Sequence, residues 1–261
     1  MSKARILAAL GLATAMMLGV GSANAASVKL GVAAEPYPPF SVKDAAGKWT
    51  GWEMEIGLAV CKAAKLECEF KEVAWDGIIA SLNSKKIDVI WSSMSITPER
   101  KKSIDFTDKY YNTPANVIGV KAQAMTASGE GLKGKIVGVQ VSTIHQRYAE
   151  KYFKPHAKEI KVYQTQDEAN QDLAAGRVDA LLADSITLDD FLKTDPGKCC
   201  DVKGSVKDDP EILGAGVGGG VRKKDGDLKA KLNAGIAAVR ASGEYDTITK
   251  KYFSFDIYGP K

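Results

Sequence analysis

Strand-like and helix-like patterns alternate along this chain in two successive series, and that alternation leaves few folds open. In the first series VKLGVAAE reads as a strand and GWEMEIGLAVCKAAK as a helix with Ile56, Val60 and Ala63 on one face. ECEFKEVAW follows as a strand, DGIIASLNSKK as a helix and IDVIWSSM as a strand. TPERKKSIDF predicts a helix capped by Thr97, with Pro98 at its first position, where a missing N–H does no harm. The second series pairs KIVGVQ, EIKVYQ and VDALLAD as strands with STIHQRYAEKYF, TQDEANQDLAAGR and SITLDDFLK as helices. Near the end, DLKAKLNAGIAAVRASG predicts a helix with Leu228, Leu232, Ile236 and Val239 on one face, closed by Gly243. Such alternation predicts an α/β fold of mostly parallel sheets flanked by helices. Two half-sized series predict two lobes. Candidate crossings at 110–117 and 206–216 form a two-segment hinge, with 26–112 and 216–261 in lobe 1 and 113–215 in lobe 2.

The start, MSKARILAALGLATAMMLGVGSANA, has the three parts of a secretory signal peptide over residues 1–25. Lys3 and Arg5 are its positive start, Ile6 to Val20 its apolar run, and Ala23-Asn24-Ala25 its small-residue cleavage site. The run is shorter than the ~20 residues that span a bilayer. A lipid-anchored form would need a cysteine at the cleavage point, and the first cysteine is Cys61. The expectation is a soluble, monomeric, exported protein beginning near Ala26. Losing Lys3 and Arg5 brings the 36 basic residues close to the 32 acidic ones, so nucleic acid and anionic membranes are poor partners.

All four cysteines lie in the exported part. Cys61 and Cys68 sit at a helix-to-strand transition, where an oxidising compartment favours a disulfide. His145 and His156 have no ligand spacing with any cysteine pair, so no metal is expected. Cys199 and Cys200 are adjacent, and a vicinal disulfide and two free thiols are both open.

Two motifs are discarded. GAGVGG, at 214–219, has the glycine spacing of a dinucleotide loop but runs into VRKKDGD instead of opening a helix. GEGLKGK, at 129–135, nearly matches a phosphate loop, yet Ile136 stands where a hydroxyl should hold magnesium, and a strand follows. No cofactor is implied and no catalytic constellation stands out.

The stretch IWSSMSITPER ends an apolar strand in hydroxyls. Ligands of open α/β sheets bind beyond the carboxyl ends of strands, which is where Ser92, Ser93 and Ser95 fall. Arg100, in the next helical turn, can reach back with a fork that fits a carboxylate. The serines can take an ammonium on the same carbon. Together these groups suit an α-amino acid head group. The plainer reading makes the hydroxyls helix caps and Arg100 a solvated charge. Asp184 ends the corresponding strand of the second series and suits the ammonium or a helix start. Thr143 follows KIVGVQ at the start of a helix. Tyr37 and Trp75 each follow a strand and could sandwich a ligand side chain.

The segments EPYPPFS, GWEMEIGLAVCKAAKLEC, VAWDGIIASLNSKKIDVI, SSMSITPERKKSIDFTDKYY, LKGKIVGVQ, DLAAGRVDALLAD and KKYFSFDIYG closely resemble periplasmic amino acid-binding proteins of ATP-binding-cassette importers. The pattern is similar to the lysine/arginine/ornithine- and histidine-binding group with its octopine- and nopaline-binding relatives. The resemblance implies a two-lobed fold closing by a hinge over one ligand, a periplasmic location and an inner-membrane permease as partner. It implies that Arg100 and the Ser93 N–H bind the α-carboxylate, and that the Ser95 hydroxyl, the Ser93 carbonyl and Asp184 hold the ammonium. Ser92, Tyr37 and Trp75 would line the side-chain pocket, and Cys61–Cys68 matches a family disulfide. Where the family carries a second hydroxyl residue after KIVGVQ, this chain has Ile144, which offers only its N–H. The family's acid for cationic side chains maps onto Glu35, one residue out of register. Arginine is the expected ligand, then ornithine, lysine or histidine, with an arginine-derived opine close behind. The rivals are an exported dehydratase-like enzyme using Glu35 or Asp184 as acid or base, and a module delivering ligand to a sensory receptor.

Overall fold

The computed structural model describes residues 27–259; the predicted signal peptide lies outside the described residues. The strands are β1 (Val28–Ala33), a hairpin of β2 (Val42–Lys43) and β3 (Trp49–Thr50), β4 (Cys68–Val73), β5 (Val89–Ile90) and β6 (Asp105–Tyr111). Then come β7 (Ala115–Val120), β8 (Ile136–Gln140), β9 (Glu159–Tyr163), β10 (Ala180–Asp184), β11 (Cys200–Ser205) and β12 (Val217–Val221). They build two five-stranded sheets, ordered β4-β1-β5-β12-β6 and β11-β7-β10-β8-β9. The chain therefore leaves the first sheet after β6 and returns to it at β12. Each sheet is parallel through three strands, β4-β1-β5 and β10-β8-β9. Each is antiparallel where the crossing strands join it. A strand that arrives from the other lobe enters against the direction of its neighbours, so the antiparallel pairs gather beside the hinge.

The helix α1 (Trp52–Ala63) buries Trp52, Met54, Ile56, Ala59, Val60 and Cys61; of the face expected, Ile56 and Val60 are buried but Ala63, in the last turn, is exposed. It starts at Gly51, whose φ of 117° and place 2.4 Å from the Phe40 carbonyl, measured from a would-be Cβ, leave room for glycine alone. Its far end is tied to β4 by the Cys61–Cys68 disulfide. α2 (Ile78–Asn83) leads into β5. α3 is short, Arg100–Ser103, and the Ile104-Asp105-Phe106 stretch expected to prolong it turns into β6. Burial wins there: Phe106, Thr107, Tyr110 and Tyr111 are all buried as the segment pairs with β12. The Thr97 hydroxyl accepts the Arg100 N–H at 3.2 Å, as a cap does.

In the second lobe α4 (Ile144–Tyr148) follows β8, α5 (Gln166–Ala174) follows β9 under a full capping box from Thr165 and Glu168, and α6 (Ser185–Leu192) follows β10. α7 (Pro210–Leu213) lies in the return crossing. α8 (Gly226–Ala241) and α9 (Glu244–Thr249) pack back on the first lobe. Leu232, Ile236 and Val239 are buried, and Gly235 brings α8 against α1, a would-be Cβ lying 2.5 Å from the Val60 carbonyl. Cys199 and Cys200 are joined as a vicinal disulfide at the start of β11.

The first core is aromatic. Trp91 stacks on Tyr110 at 4.3 Å between centroids, and Phe40, Trp52, Tyr111 and Phe253 pack around them. Each such ring contributes about 1.5–3 kcal/mol on burial. This cluster sits directly beneath the end of β5, so the serines beyond that strand stand on a rigid floor.

Candidate functional site

The carboxyl ends of β5 and β10 face each other across a cleft between the lobes. Ser92, Ser93, Ser95, Arg100, Glu35, Tyr37 and Trp75 line it from the first lobe, and Thr143, Ile144 and Asp184 from the second. All ten candidate residues thus converge on one space, from segments far apart in the chain.

The lobes touch around this space. Tyr37 donates its hydroxyl to Asp184 Oδ2 at 2.6 Å, and Trp75 Nε1 donates to the Val141 carbonyl at 3.0 Å. Arg100 lies across the gap. Its Nη1 donates to the Ser95 carbonyl at 3.0 Å and its Nη2 to the Ser142 carbonyl at 3.3 Å, with the guanidinium 5.6 Å from the Trp75 ring centroid. Burial, and next the charge of Arg147, lower the Arg100 pKa to about 10. The group is still a cation at neutral pH, and its hydrogen-bond partners are carbonyls instead of a carboxylate. A half-buried cation with no carboxylate hydrogen-bonded to it suits an anion.

The acidic groups lie around it. Asp184 is buried, with His145 Nε2 3.5 Å from its Oδ1. One oxygen of Glu35, Oε2, is buried without a hydrogen-bond partner. The Ser92 hydroxyl accepts the Ala33 N–H at 2.9 Å, which leaves its proton free to be donated.

One expected role changes. The Ser93 N–H does not face the cleft: it donates to Glu53 Oε1 at 2.6 Å, and the Ser93 hydroxyl donates to Glu53 Oε2 at 2.9 Å. With both donors turned away, Ser93 can offer the cleft its carbonyl only. The Thr143 hydroxyl is also engaged. It donates to the Gln140 carbonyl at 2.7 Å and accepts the Gln146 N–H at 3.0 Å, as the cap of α4.

Gln140, His145 and Gln166 also line the cleft, each nine-tenths buried, and were not among the expected residues. The strand-end rule that pointed to Asp184 would have reached two of them, since Gln140 ends β8 and Gln166 opens the helix after β9.

Residues 28–255 match the model of the bacterial extracellular solute-binding proteins, family 3. An L-arginine-binding protein of Pseudomonas aeruginosa is 47% identical over 233 residues, covering 89% of this chain and 90% of that one. The lysine/arginine/ornithine-binding periplasmic protein of Escherichia coli is 38% identical over 224 residues, covering 85% and 86%. Among solved structures, an ancestral arginine-binding protein bound to arginine superposes with a TM-score of 0.79 at 34% identity, covering 87% of this chain and 98% of that one. A cleft lined from both lobes, two mixed sheets and matches along nearly the whole described chain lead to one conclusion: this protein belongs to the bacterial extracellular solute-binding proteins, family 3.

Proposed function

We propose that this chain is a periplasmic binding protein that captures an amino acid with a cationic side chain, arginine foremost, and hands it to the permease of an ATP-binding-cassette importer. One observation carries the reading. A single cleft holds a half-buried guanidinium whose hydrogen-bond partners are carbonyls and, apart from it, a carboxylate with a buried unpartnered oxygen. Arg100 suits the α-carboxylate and Glu35 the distal cation. Asp184, the Ser93 carbonyl and the Ser95 hydroxyl suit the α-ammonium, and Trp75, Tyr37 and Ser92 the stem between them. The name of the Pseudomonas relative supports arginine as the first choice.

In this reading the protein works by closure and carries out no reaction. Lobe 1, residues 26–112 and 216–261, and lobe 2, residues 113–215, swing about the two crossings, and a ligand held by both favours the closed form by its differential affinity. The chain acts as a monomer, exported by cleavage of residues 1–25. Calorimetric titration with L-arginine, L-lysine, L-histidine and L-glutamine tests the reading. Arginine is expected to bind tightest and glutamine weakest; heat from glutamine alone would overturn it.

A further inference from the structure

Beneath the cleft the first lobe buries a complete carboxylate. Glu53, in the first turn of α1, has no exposed surface, and no ion pair to it is present among the described residues. Three donors converge on it: the Ser93 N–H at 2.6 Å, the Ser93 hydroxyl at 2.9 Å and the Tyr110 hydroxyl. The Trp91 indole fixes the same turn by donating to the Glu53 carbonyl at 2.9 Å. A short N–H contact to a carboxylate is among the stronger hydrogen bonds in proteins. Ser93 itself stands at φ 51°, in the left-handed region that a residue with a Cβ avoids.

These facts fit together in one way. The left-handed turn points both donors of Ser93 down to Glu53, while Ser93 lines the cleft whose other wall carries Asp184. We propose that Glu53 is a positioning residue: through Ser93 it holds a carbonyl, backed by a buried negative charge, against the ligand's α-ammonium. The cleft would thereby select amino acids over the same acids lacking the α-amino group. The proposal rests on the reading of the site as an amino acid receptor.

The surroundings support it. The titratable groups facing Glu53 are Tyr110 and Tyr111 of β6, Tyr37, and Asp184 across the cleft, none of them a cation. Burial first, and Asp184 as well, push the Glu53 pKa above the usual carboxylate range, against the pull of the Tyr110 and Ser93 hydrogen bonds. An acid raised in this way stabilises the fold fully below its unfolded pKa and loses that contribution as pH rises through the folded value. Where Glu53 is ionised its charge works against stability, and a ligand ammonium held by the Ser93 carbonyl would offset it.

The test compares L-arginine with des-amino arginine. In Glu53→Gln, a near-isosteric change that removes the buried charge, arginine affinity is expected to fall about tenfold and des-amino arginine affinity to change less than twofold. Equal losses for both ligands, or none for either, would overturn the proposal. Failure of the wild type to bind arginine would instead overturn the functional reading beneath it. Should Glu53→Gln not fold, Tyr110→Phe carries the test. Removing that hydroxyl takes a donor from the carboxylate, so the pH below which arginine binding weakens should move upward, with no such move for the des-amino ligand. An unmoved midpoint would count against Glu53.

Discussion

Each lobe has a serine in left-handed backbone that meets Arg100 or the cleft, Ser93 at φ 51° beyond β5 in the cleft wall and Ser142 at φ 59° beyond β8, whose carbonyl accepts from Arg100. Such a conformation costs about 1–3 kcal/mol and persists only where the surroundings impose it. The two are imposed differently. Ser142 donates its N–H to the side chain of Gln146, four residues on, at 2.8 Å near the surface. Ser93 is gripped twice by Glu53, forty residues earlier and fully buried. One rim is a local turn; the other is rooted in an aromatic core. On the proposed function, a closing cleft can work with one fixed jaw and one locally built jaw, with Arg100 reaching from the first to the second.

The largest effect should come from cutting that link. Arg100→Ala removes the cation both rims share, and loss of one side of a buried charge pair costs about 3–5 kcal/mol. Arginine binding should weaken at least about a hundredfold by calorimetry while the protein stays folded. A loss under threefold would take Arg100 out of the site.

Next is Glu35→Gln, which neutralises the acid on the first rim. We expect about a tenfold loss for arginine, in line with removing one partner of a close charge pair, and little change for glutamine. Equal losses would mean that Glu35 does not read the ligand's distal charge.

Glycine at each left-handed position sharpens the contrast of the rims. Ser93→Gly relieves strain but loses a hydroxyl bond to a carboxylate worth about 1.5–3 kcal/mol, so urea unfolding should show a net loss of roughly 1 kcal/mol. Ser142→Gly relieves similar strain without losing a side-chain partner, so its stability should stay level or rise by up to about 1 kcal/mol. Identical shifts would erase the distinction. The smallest change is expected from Gln146→Ala, under about 1 kcal/mol, because water can replace an exposed acceptor. A loss as large as that of Ser93→Gly would show that the second rim is no softer than the first.

Much of the site could be read from the chain because it obeys local rules. Hydroxyls at the end of IDVIW, an arginine one turn later and an acid ending VDALLAD occupy positions where α/β sheets hold ligands. The misreadings share a cause. Ile104-Asp105-Phe106 looked like more helix until the need to bury Phe106, Tyr110 and Tyr111 drew it into β6. The Ser93 N–H looked available because its partner is forty residues away. The pairing of Cys199 with Cys200 was open in the sequence and closed in the structure.

Periodicity, punctuation and residue type, all short-range properties, determined the α/β architecture, the two series and the strand-end residues that line the cleft. Only the tertiary structure decided which way those residues point. The orientation of Ser93, the engagement of Thr143 in its cap and the unpartnered oxygen of Glu35 depend on which hydrogen-bonding groups from distant segments are buried together. Most buried polar groups find a partner in the fold, and no single stretch of sequence names a partner that folding alone brings near.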